Sequence, residues 1–143
     1  MSTKVLKISM KRLNDQMLME ATNERGSTLR LDATPDAGGV DGGLSPMESV
    51  LSAAGACSTI DIVSILKKQK QPLEDIQVFL EGERTYYKDY SEFTNIHLHY
   101  TLKGNLDPAK VERAMNLSLE RYCSVLKLLE KTSKVKGTFE IVP

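Results

Sequence analysis

The stretch SPMESVLSAAGACSTIDIVSIL, residues 45–66, decides how the rest of the chain must fold. Its opening, Ser45-Pro46-Met47-Glu48, is a helix start. A serine can cap the first free amides, proline fits the first helical position, and Glu48 can reach back to complete a capping box. The pattern predicts a helix running to about Gln69. From Met47 to Leu66 it is apolar nearly all round apart from serines, Thr59, Glu48 and Asp61, which predicts burial on most sides. Ala53, Ala54, Gly55 and Ala56 are small enough to let other elements approach closely, and Cys57 follows them, so Cys57 is expected inside the molecule.

Upstream, alternating residues at Val5–Ile8, Met17–Ala21 and Leu29–Ala33 predict three short antiparallel strands separated by turn-forming Asn14-Asp15 and Asn23-Glu24-Arg25-Gly26. Residues 34–45 read as a loop, with neither the GxGxxG nor the GxxxxGK spacing of a nucleotide cradle. Downstream, Ile76, Val78 and Leu80 alternate on one strand, and Ile96, Leu98, Tyr100 and Leu102 on the next, which predicts a long hairpin. Asp107-Pro108 opens another helix, a further helix is expected near Cys123, and Val135, Gly137, Phe139 and Ile141 predict a last strand. Segregated strands and helices give an α+β fold, here antiparallel sheets around a long central helix, in a single domain spanning 1–143.

The bulk composition narrows the function. With 143 residues and 41% hydrophobic content the chain suits one core. Lys and Arg total 19, as do Asp and Glu, so no net field favours nucleic acid or an anionic membrane. The start, residues 1–12, mixes charge with apolar residues unlike a secretory signal, and no segment is read as reaching the roughly 20 apolar residues that cross a bilayer. The expectation is a cytoplasmic protein. Its only cysteines are Cys57 and Cys123, and such a pair in a reducing compartment points to packing or redox chemistry rather than a structural staple.

The helix start with Cys57, taken with Glu120-Arg121-Tyr122-Cys123-Ser124-Val125, is similar to the OsmC/Ohr family, over essentially the whole chain in element order. That resemblance implies an intertwined homodimer with two sites at the subunit interface and no prosthetic cofactor. It implies that Cys57 is the peroxidatic cysteine, that Cys123 resolves it, and that Glu48 holds an arginine over the reactive thiol. Arg12 is the candidate from the early hairpin. Arg84 suits this branch better, being in phase with Ile76, Val78 and Leu80, so that a regular strand would aim its charge at the core and demand a buried anionic partner. Where related sequences have cysteine followed by proline, this chain has Cys123-Ser124.

The implied activity is reduction of organic hydroperoxides, with an external dithiol as reductant. A thiolate must attack the peroxide, whereas burial, and Asp61 one turn beyond Cys57, would raise a thiol's pKa, so a nearby cation is required. The alternative is an OsmC-like protein that senses oxidants slowly or binds a small molecule without turnover. A third reading makes both cysteines packing residues of a structural dimer. His97 and His99 share a strand face and read as polar surface rather than a zinc site, so no metal is expected. Lys67, Lys68 and Lys70 read as a solvated helix end suited to the helix dipole.

Overall fold

The computed structural model describes all residues, 1–143, and divides into two compact units, Met1–Val50 and Leu51–Pro143. The first contains β1 (Ile8–Arg12), β2 (Met19–Asn23) and β3 (Thr28–Leu31), paired antiparallel in chain order. Asn23 Oδ1 accepts the amides of Arg25 and Ser27 at 3.0 and 2.9 Å, closing the β2–β3 turn around Gly26, whose φ of 89° favours glycine.

The loop after β3 is organised by Asp32. Its carboxylate accepts the amides of Ala33, Val40 and Gly42 at 2.8, 3.0 and 3.1 Å. Burial would raise its pKa, but the three donors outweigh that and hold the carboxyl below its ordinary value. The glycines here allow close approach: a Cβ on Gly43 would lie 2.6 Å from the backbone of Arg30.

Helix α1 (Pro46–Lys68) starts as its sequence dictates, Ser45 N donating to Glu48 Oε1 at 2.8 Å and Glu48 N to Ser45 Oγ at 3.3 Å. By length and composition alone this helix is apolar enough to cross a membrane, which corrects the expectation that no segment is. Its burial also differs from expectation. Only the stripe Ala54, Gly55, Ser58, Ile62 and Leu66 is covered, while Ala53, Ala56, Ile60 and Val63 form an open apolar stripe, Ile60 being 69% exposed. Alanine-rich composition marked both faces as apolar; the protomer covers only one.

The covered stripe packs on the second sheet, of β4 (Asp75–Tyr86), β5 (Ser91–Lys103) and β6 (Lys134–Val142). A Cβ on Gly55 would lie 2.7 Å from Leu80 Cδ1, so the absent side chain sets how closely helix and strand approach. The core is Ile96, Leu98, Tyr100 and Leu102 of β5 with Ile62 and Leu66 of α1, all at most 1% exposed. Full burial of each aliphatic side chain contributes about 1.5–3 kcal/mol. β4 and β5 form the expected antiparallel hairpin, but β5 pairs with β6 in parallel, so the sheets are not both antiparallel. Parallel neighbours need a crossover. α2 (Pro108–Leu117), a π-helical turn (Ser118–Tyr122) and α3 (Ser124–Leu129) supply it, with Asp107 capping α2 through Ala109 N at 3.0 Å.

Candidate redox site

The crossover carries Cys123 to α1. Cys57 precedes the buried Ser58 on the helix and is partly exposed, while Cys123 is fully buried and caps α3, its Sγ accepting from Leu126 N at 3.5 Å. Both are reduced, and their side chains interact directly. Burial pushes the Cys123 thiol up to about 11. The Leu126 amide opposes this, and the adjoining Cys57 adds to it. A thiol so placed stays protonated at neutral pH.

Beneath the pair lies a polar network in which sequence reasoning singled out only Asp61. Tyr100 OH is 2.6 Å from Ser58 Oγ, and Ser58 Oγ also donates to Gly55 O at 3.3 Å, which leaves Tyr100 to donate to Ser58. Burial pushes the tyrosine up to about 12, consistent with a hydroxyl that acts as a donor. Ser118, first residue of the π-helical turn, reaches Asp61 Oδ2 at 2.9 Å and the Ser58 carbonyl at 3.3 Å. The sequence signal for Tyr100 is a phenol in an otherwise aliphatic row, since a buried Tyr hydroxyl must find a partner.

The other predicted site residues each have contacts of their own. Glu48 lies in the first turn of α1. Its carboxyl is held below the usual range, chiefly by the Ser45 amide. Arg84 corrects the expectation of a regular strand. Pairing shifts between Glu83 and Arg84, leaving Thr94 as an extra residue, and Arg84 is exposed. It donates through Nε and Nη2 to Ser91 Oγ at 3.1 and 2.7 Å, with its guanidinium 5.1 Å from the Tyr86 ring centre. In the first unit, Arg12 donates to Gln16 O at 3.5 Å and lines a cavity of about 320 Å³ with Met17, Met19, Asp32 and Pro46. His97 and His99 both contact Thr138 Oγ1 at 2.7 Å, and His99 also meets Glu140 at 3.3 Å.

Residues 38–137 match the family model for OsmC-like protein. The chain is 48% identical to Protein YhfA of Escherichia coli (strain K12) over 99 residues, 68% of this chain and 73% of that one. An OsmC-like protein from Mycoplasma pneumoniae superposes with a TM-score of 0.83 at 18% identity, covering 99% of this chain and 100% of the other. The organic hydroperoxide resistance protein OhrB of Bacillus subtilis gives 0.68 at 15% identity, covering 96% and 98%. At these identities the two structures speak for the fold.

Proposed function

The chain belongs to the OsmC-like family, and on that premise we propose that it is a cytoplasmic, cysteine-dependent peroxidase reducing organic hydroperoxides. The observation that carries this reading is the direct interaction of two reduced cysteines far apart in sequence, one partly accessible and one buried behind it.

The Cys57 thiolate attacks the terminal peroxide oxygen, the O–O bond breaks, and the alkoxide takes a proton to leave as an alcohol. Cys57 becomes a sulfenic acid. Cys123 sulfur then displaces its hydroxyl, the thiol proton leaving with it as water, and a Cys57–Cys123 disulfide forms. An external dithiol returns both to thiols and is itself oxidised to a disulfide. A guanidinium anchored by Glu48 supplies the cation that the thiolate needs. Arg12 and Arg84 are the candidates, with Arg12 favoured by its sharing a cavity wall with Pro46, two residues before Glu48.

The whole chain, 1–143, acts as one functional domain and as a homodimer. The open stripe Ala53, Ala56, Ile60 and Val63 supports this, because four apolar positions at helical spacing gain from cover. A second copy also offers a second Glu48 and further arginines.

A slower, sensing role is favoured by one observation, the complete burial of Cys123, which pushes its thiol up and leaves only a small thiolate fraction to attack. One kinetic experiment separates the readings: exposing reduced protein to cumene hydroperoxide and following intact mass and alcohol release. Repeated turnover with a dithiol supports the peroxidase, a single slow oxidation supports the sensor, and thiols that stay titratable overturn both.

A further inference from the structure

In the second unit a cavity of about 640 Å³ lies between α1 and the α2–π segment, lined by Asp61, one turn beyond Cys57, and by Tyr122, next to Cys123. On α1 it is lined by Asp61, Ile65 and Lys68, which continue the face of Cys57 by successive turns. On the other wall lie Tyr122, next to Cys123, then Leu117 and Arg113 at increasing distance back along the chain. The two walls therefore run in opposite sequence directions from the same pair of thiols. Both basic residues lie at the far end. Eleven helical residues from Cys57 to Lys68 amount to about 16 Å of axis.

We infer that Lys68 and Arg113 form a subsite for the carboxylate of a small amphiphilic reactant whose other end reaches the cysteine pair. The middle of the channel offers Ile65 and Leu117 to an apolar chain. Asp61, the one acidic group lining it, is already engaged by Ser118 and lies at the thiol end, so it leaves the two cations unneutralised. Neither Lys68 nor Arg113 is held by a hydrogen bond or ion pair within the protein. The helix dipole accounts for a lysine in the last turn of α1, but not for an arginine facing it from another helix.

The inference rests on the redox reading only for what the ligand does, not for whether it binds. Calorimetric titration of the reduced protein with decanoate and with decanamide tests binding directly. The acid is expected to bind about tenfold more tightly, and the advantage to vanish in a Lys68→Gln, Arg113→Gln variant. Equal affinities in the native protein, or an advantage that survives both substitutions, overturns the subsite. The carboxylate's source is then read kinetically, by comparing a medium-chain hydroperoxy acid with its methyl ester as oxidant, and a carboxylated dithiol with its amide as reductant. The arm in which the double variant loses about tenfold preference for the acid names the reactant. If native protein binds decanoate yet consumes no peroxide, the peroxidase reading falls and the subsite stands.

Discussion

The two three-stranded sheets carry similar alternation, yet no residue of β1, β2 or β3 is fully buried, whereas β5 buries Phe93, Ile96, Leu98, Tyr100 and Leu102. In the first sheet Met10, Ala21 and Leu29 form a cross-strand row by register, with Met10 55% and Leu29 48% exposed. In the second, α1 covers the equivalent face. Two-residue alternation thus states that a face is meant to be covered, and says nothing of what covers it. The second sheet finds its cover within the protomer, whereas the first leaves its row open.

The largest expected effect divides the regions by chemistry. Cys57→Ser should abolish peroxide consumption, whereas Cys123→Ser should still oxidise once and accumulate a sulfenic acid trappable by dimedone. Equal loss of the first oxidation in both would remove the distinction between attacking and resolving sulfur.

Next comes stability. Leu98→Ala, in the covered sheet, should cost about 2–5 kcal/mol in urea unfolding. Leu29→Ala should cost less than about 1 kcal/mol if the first sheet stays open in solution, and more, with a midpoint that rises with protein concentration, if a second copy covers it. Ile60→Lys should shift sedimentation toward the monomer, and an unchanged dimer would place the interface elsewhere.

Smaller still is Tyr100→Phe, expected to cost about 1 kcal/mol by leaving Ser58 without its donor. The smallest effect belongs to the first unit's loop. Asp32 has a lowered folded pKa, so its contribution to stability is present above the unfolded value of about 3.9 and is lost as pH falls through the lower folded value. Asp32→Asn should flatten that acid limb, as read from amide exchange at Val40 and Gly42.

What the sequence revealed is what short-range chemistry decides. Ser45 with Glu48, and Asp107 before Pro108, mark helix starts because capping partners lie within three residues. The β4–β5 hairpin was legible from alternation on both sides of a short turn. The parallel pairing of β5 with β6 was not, since it depends on the path of a crossover and on contacts between residues about forty apart. The facing of Arg84 was misread because one extra residue, Thr94, interrupts pairing at the end of an otherwise regular ladder. At the candidate site, Cys57 and Cys123 were read as candidates from composition and motif. The Tyr100–Ser58 and Ser118–Asp61 bonds were not, because a hydroxyl's partner is fixed by tertiary packing.

The crossover that brings Cys123 against α1 has a consequence for how long the molecule lasts. A bridge between Cys57 and Cys123 would tie together the ends of a loop holding β4, β5 and α2, and restricting the unfolded chain over such a length is worth about 4 kcal/mol. Proteases that act on transiently opened chains would then clear reduced molecules faster than bridged ones. Survival itself would keep a record of recent exposure to oxidant.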